Sequence, residues 1–143
     1  MAECIRSTDL LLIPGMMCDA RMWQAQTDVL SDQIRVHPCE MVGGSVEKIA
    51  EQILVSAPDS FALAGLSMGA IVSFEIWRQA PKRVERMALM DTNFRADTAE
   101  RKQLRSRQIE QVAAGGLEEI LRDELKPNYL AEHHRSDMDL LDR

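Results

Sequence analysis

The sequence predicts an α/β fold: a parallel sheet of about four strands with flanking helices, leading into a helical segment. Three observations predict it. Short strand-like runs at residues 10–13, 61–64 and 84–90 alternate with longer stretches of helical period, which implies right-handed crossovers and a parallel sheet. A G-x-S-x-G turn, Gly65-Leu66-Ser67-Met68-Gly69, joins one of these runs to a helix-period stretch. After residue 91 no segment has a strand pattern, and polar helical stretches take over.

Taken in order, Leu10-Leu11-Leu12-Ile13 is continuously apolar and ends at Pro14-Gly15, as expected of a central strand covered on both faces. Asp19 is placed to cap a helix that carries Trp23, Val29 and Leu30 on one side. Ile34-Arg35-Val36 reads as a second strand, ended by Pro38, and Gly43-Gly44 continues the loop. Ser45 can cap the next helix, where Val46, Ile49, Ala50, Ile53 and Leu54 keep helical spacing. Pro58-Asp59 closes that helix before the third strand. The helix after Ser67 stops near Pro81, and the fourth strand ends at Asp91. Asp97-Thr98-Ala99-Glu100 resembles a capping box; Gly115-Gly116 and Lys126-Pro127-Asn128 are expected to interrupt the helical part. The domain reading is therefore 1–94 for the sheet and 95–143 for a helical cap or lid segment.

Composition narrows the function classes. At 143 residues and 45% hydrophobic content the chain can bury a core. A formal charge of −6 argues against nucleic acid or an anionic membrane as partner. No apolar run approaches membrane-spanning length and the N-terminus lacks a long apolar signal region, so a cytoplasmic location is expected. Cys4, Cys18 and Cys39 are odd in number without C-x-x-C spacing. Reduced thiols are expected rather than a disulfide framework or zinc site, with Cys18 a small buried or half-buried residue rather than a reactive thiol.

The chemistry centres on Ser67. A serine on a tight strand-to-helix turn must take strained backbone angles, and Gly65 and Gly69 remove the side chains that would crowd it. The turn lifts the hydroxyl above the carboxyl end of the strand, at a helix N-terminus whose free N–H groups and dipole favour developing negative charge. The Met68 N–H is then one oxyanion donor.

Three stretches together, residues 10–19, Ala64-Gly65-Leu66-Ser67-Met68-Gly69 and residues 80–86, resemble the α/β-hydrolase family, and within it the bacterial esterase-like members whose first clear strand leads into a Pro-Gly loop. The resemblance covers residues 8 to 130 and about the first half of such a fold, so an incomplete α/β-hydrolase fold is expected, with spatial strand order 2-1-3-4. It implies that Ser67 attacks an ester or similar acyl carbonyl and that the N–H groups of Met68 and Met16 form the oxyanion hole. Pro14 stands where the usual loop histidine would be. The stretch after residue 94 would begin the cap that shapes the acyl pocket.

The family order of nucleophile, acid and histidine is not completed. Asp91 ends the strand after the nucleophile helix, where some members of the fold place their acid, although the next strand is the commoner place. His133 and His134 read as a solvated pair on a polar helical segment. His37 precedes the serine and reads as a structural or substrate-facing residue at the carboxyl edge. Taken together, the residues imply a serine hydrolase acting on a small-molecule acyl or ester substrate, with no metal or organic cofactor. Acyl transfer in the same fold stays open, as does a catalytically inactive truncated or binding protein. Because apolar Leu140 and Leu141 are still in helical phase, the chain reads as an N-terminal piece of a longer hydrolase. A bare last strand would then offer an edge for a homodimer.

Overall fold

A computed structural model of the chain describes residues 8–137; Cys4 and the expected helical phase at Leu140 and Leu141 lie outside the described residues. The chain divides into two compact units, one ending at Phe94 and the other beginning at Arg95.

The first unit is built on four parallel strands, β1 (Asp9–Ile13), β2 (Arg35–Pro38), β3 (Phe61–Leu66) and β4 (Val84–Met90), in the order β2-β1-β3-β4. This is the predicted order. β1 lies between β2 and β3, so Leu11 stands opposite both His37 and Leu63. Alternate residues of the strands feed two cores, which is why the strands read as unbroken apolar runs. Leu11, Ile13, Phe61 and Leu63 pack with Ile49, Ala50 and Ile53 of α2 (Val46–Ser56) and with Val72 and Ile76 of α3 (Met68–Gln79). Leu12 and Ala64, on the other face, pack with Trp23 from the 3-10 turn Ala20–Trp23 that precedes α1 (Gln24–Leu30).

Local signals set most of the boundaries. Asp19 accepts a hydrogen bond from the Arg21 N–H at 2.9 Å, and Ser45 accepts one from the Lys48 N–H at 3.3 Å. The C-terminus of α2 is held from a distance. The Arg83 guanidinium donates to the carbonyls of Leu54, Ala57 and Pro58, and lies 5.4 Å over the Phe61 ring. On the outer side of the sheet, β4 carries a register irregularity against Phe61 and Ala62, and Glu85, Arg86, Met87 and Ala88 are exposed.

The second unit contains α4 (Ala99–Ala113), α5 (Leu117–Glu119), a π-helical stretch Ile120–Leu125 and α6 (Lys126–Tyr129). Among its described residues no strand follows β4. Two local expectations are corrected here. The cap of α4 is Thr98, which accepts from the Arg101 N–H, while Asp97 instead takes the Arg105 guanidinium at 2.5 Å. Residues 126–128 do not end the helical path. Pro127 lacks an N–H and would crowd the preceding turn of a regular helix, and a widened π turn ahead of it lets the path continue to Tyr129. Gly115, at φ 93°, makes the break after α4 as expected. No helix among the described residues is long and apolar enough to cross a membrane.

Candidate active site

Ser67 is exposed at the junction of β3 and α3, with φ 52° and ψ −112°. Met17 at φ 62° and Asp91 at φ 44° share its positive φ, and these three are the positive-φ residues other than glycine among the described residues. All three lie beyond the carboxyl end of a strand: Met17 after β1, Ser67 after β3, Asp91 after β4. Such conformations cost on the order of 1–3 kcal/mol each and persist only where the surroundings over-determine them. The strain of the first unit is thus gathered on the sheet edge where open α/β sheets bind ligands.

The glycines explain how the turn is held. A Cβ on Gly65 would stand 2.5 Å from the Gly69 carbonyl oxygen and 2.6 Å from the Ser73 hydroxyl. A Cβ on Gly69 would run into the carbonyl oxygens of Ile13 and Pro14, closer than real carbon atoms approach. The start of α3 is therefore pressed against the end of β1. That contact brings the Pro14-Gly15-Met16 loop to Ser67: a Cβ on Gly15 would be 3.9 Å from the Ser67 Cβ. Among the described residues no backbone acceptor takes the Met16 N–H, and α3 has no side-chain cap for the N–H of Met68. Met16 and Met17, in the loop after β1, are exposed, and Met68, next to Ser67, is half-buried.

Cys18 also lies in this loop, with its Sγ 3.8 Å from where a Gly15 Cβ would be. Burial, and then the charge of Asp19, push its thiol up from the ordinary range. Cys39 is buried and burial pushes its thiol up to about 12. Both are free thiols.

The remaining titratable residues are distributed unevenly. Asp91 is exposed at the turn after β4, and among the described residues nothing pairs with its carboxylate. His133 and His134 are exposed in the second unit, with ring centroids 4.1 Å apart. His37 is not at the carboxyl edge as expected. Its backbone is level with Leu11, and its ring turns back to Asp9, with Nε2 2.7 Å from the carboxylate. Strands about 4.8 Å apart, with about 3.3 Å of rise per residue, put the backbones of His37 and Ser67 roughly 16 Å apart.

Asp9, the partner of His37, is a residue that sequence reasoning passed over. Its side chain is 8% exposed, and it takes the Arg35 guanidinium through both oxygens, at 2.8 and 2.5 Å, beside the His37 contact. The Arg35 hydrogen bonds, aided by His37 and opposed by burial, hold its carboxyl down at about 2. The one available signal was a charged residue at the start of an otherwise apolar strand. Thr92 was passed over as well. Its hydroxyl donates to the Ser67 carbonyl at 3.1 Å, next to a 2.8 Å bond from the Ser67 N–H to the Met90 carbonyl.

Comparison with known proteins agrees with this architecture. No family model matches the sequence. A pimeloyl-[acyl-carrier protein] methyl ester esterase of Aliivibrio salmonicida is 32% identical over 89 residues, which is 56% of this chain and 34% of that protein. A thermophilic esterase from Thermogutta terrifontis superposes with a TM-score of 0.79 and 28% identity, over 95% of this chain and 56% of that one. A carboxylesterase of Nitrososphaera gargenis superposes with a TM-score of 0.69 at 16% identity, over 95% of this chain and 57% of that one, and shows the fold alone. The chain thus spans about a third of the length of the curated relatives it matches and just over half of these solved chains. These relatives by sequence and neighbours by structure are esterases, and the four-stranded parallel sheet with its flanking helices is an incomplete α/β-hydrolase fold.

Proposed function

We propose that this chain carries the nucleophile portion of a serine hydrolase that cleaves carboxylic esters through an acyl-enzyme at Ser67. The observation that carries the reading is the strained, exposed conformation of Ser67 at the β3–α3 junction, packed between two glycines that cannot bear a side chain. In this mechanism the Ser67 Oγ bonds to the ester carbonyl carbon and its proton passes to a base. The carbonyl oxygen gains negative charge facing the N–H groups of Met68 and Met16. Collapse breaks the ester C–O bond, the alcohol leaves with a proton, and water releases the acid from Ser67 by the same steps. Asp91, exposed and without a partner among the described residues, is the proposed acid that would orient an imidazole.

The base is not His37, which lies roughly 16 Å away along the sheet and is already engaged by Asp9. An apolar surround at Met16, Met17 and Met68 suits an aliphatic acyl ester, the class named for the relatives. Residues 95–143 are proposed as the cap or lid segment. A cytoplasmic setting goes with the free thiols of Cys18 and Cys39. The exposed edge of β4 is proposed as a place where a second copy pairs, which size-exclusion chromatography at two concentrations would reveal. The remoteness of His37 favours a second reading, in which the chain binds an acyl compound without turning it over; acyl transfer would use the same serine.

The test is mass spectrometry after long incubation with excess fluorophosphonate, with Ser67→Ala as control. A triad lacking one member keeps a residual acceleration on the order of a thousand-fold over water. Slow formation of a single adduct on Ser67 is therefore expected, with ester turnover slow or below detection. An adduct elsewhere, or none after exhaustive incubation, overturns the serine-hydrolase reading. Stoichiometric labelling within minutes would show that the chain supplies a base after all.

A further inference from the structure

We infer that Thr92 is a positioning residue that aims the oxyanion donor, an inference that rests on the serine-hydrolase reading above. The Thr92 hydroxyl donates to the Ser67 carbonyl at 3.1 Å. That carbonyl and the Met68 N–H belong to one peptide group. A peptide is planar, so fixing the direction of its oxygen fixes the direction of its N–H. A hydroxyl on the outer turn after β4 therefore sets where the Met68 N–H points.

The same turn grips the other side of the nucleophile. The Ser67 N–H donates to the Met90 carbonyl at 2.8 Å, which fixes the peptide between Leu66 and Ser67. Both peptides flanking the serine are thus tied to a three-residue segment, Met90, Asp91 and Thr92. Asp91 makes this geometry possible: its left-handed φ of 44° turns the chain at the end of β4, between the two residues that hold Ser67. The Ser67 carbonyl already serves as the first acceptor of α3, taking the N–H of Ala70 at 3.1 Å and Ile71 at 3.4 Å. Those bonds alone would be satisfied by ordinary helical angles. The added hydroxyl holds the carbonyl where the serine has φ 52° and ψ −112°. Donation to a carbonyl also polarises its amide, which makes the attached N–H a better donor to a developing oxyanion.

The experiment compares Thr92→Val, which keeps shape and removes the hydroxyl, with Thr92→Ser, which restores it. Two readouts are used on the 143-residue protein: the rate of fluorophosphonate adduct formation at Ser67, and the amide proton chemical shift of Met68 by NMR. Loss of an oxyanion donor costs about a hundred- to a thousand-fold, and a misaimed donor less, so Thr92→Val is expected to slow Ser67 labelling by about 5- to 30-fold. The Met68 amide proton should shift upfield, because its amide loses the polarising donor, while the Leu63 amide in the strand below is unaffected. Thr92→Ser should restore both. Wild-type labelling and a wild-type Met68 amide resonance in Thr92→Val would overturn the inference. So would a loss shared by both variants that follows a fall in melting temperature, since that marks a merely structural role. If wild-type Ser67 takes no adduct, the hydrolase reading fails instead, and the Met68 amide resonance alone decides whether Thr92 fixes this peptide.

Discussion

Two polar regions of the same sheet behave in opposite ways. At the margin between β1 and β2, Asp9, Arg35 and His37 satisfy one another, and a buried carboxylate finds a guanidinium and an imidazole as partners. At the carboxyl edge, Met17, Ser67 and Asp91 are strained and exposed, and the N–H groups of Met16 and Met68 lack backbone acceptors among the described residues. A histidine inside a satisfied network stabilises, whereas a serine in a strained turn with idle donors nearby is available for chemistry. Residue type alone would have ranked them the other way.

The largest effect that would sharpen this contrast comes from the glycine beneath the edge. Gly69→Val would drive a branched side chain into the Ile13 and Pro14 carbonyls, which belong to backbone and cannot give way. Loss of about 3 kcal/mol or more is expected, read as a shifted urea midpoint or failure to accumulate soluble protein. A variant with the wild-type midpoint would mean that α3 does not abut β1 as described.

A smaller loss is expected at the satisfied margin. Asp9→Asn removes charge-assisted hydrogen bonds from a buried position and should cost about 1–3 kcal/mol. The pH dependence follows from the sign of the shift. The Asp9 carboxyl is held at about 2 against an ordinary 3.8, so its contribution is fully present above the ordinary value. It is lost as the pH falls from 3.8 toward about 2. Thermal melts across that window should converge for wild type and Asp9→Asn. His37→Gln should weaken the same network, yet leave fluorophosphonate labelling of Ser67 as it was. A slowed adduct in that variant would join the two regions and break the comparison.

What could be read from the sequence divides along the same line. The strand at Leu10-Leu11-Leu12-Ile13, the caps at Asp19 and Ser45, and the elbow around Ser67 are local patterns, complete within a few residues. The Asp9–His37 and Thr92–Ser67 contacts join residues 28 and 25 apart, and only the strand order β2-β1-β3-β4 brings them together. His37 shows the cost of reading locally. Its place after a short strand pointed to the carboxyl edge, but a partner on β1 turned the ring away. The cap at Thr98 rather than Asp97 has the same cause, because Arg105, two turns further along α4, claims the Asp97 carboxylate.

The smallest expected effect reverses the usual sign of a glycine substitution. In ordinary backbone, replacing a residue by glycine loosens the unfolded chain and destabilises by roughly 0.5–1 kcal/mol. At Met17, Ser67 and Asp91 the side chain itself is the source of strain, since each has φ between 44° and 62°. Glycine relieves strain on the order of 1–3 kcal/mol there and gives back less than that in chain entropy. Met17→Gly, Ser67→Gly and Asp91→Gly should therefore each stabilise by up to about 1 kcal/mol, seen as a melting temperature a few degrees higher. Ser67→Gly alone must also abolish the adduct. If all three variants were destabilised, the carboxyl edge would be held no differently from the β1–β2 margin, and the strain at Ser67 would not be a reserve set aside for catalysis. If only Ser67→Gly were stabilised, the strain would belong to the nucleophile itself and not to the edge as a whole.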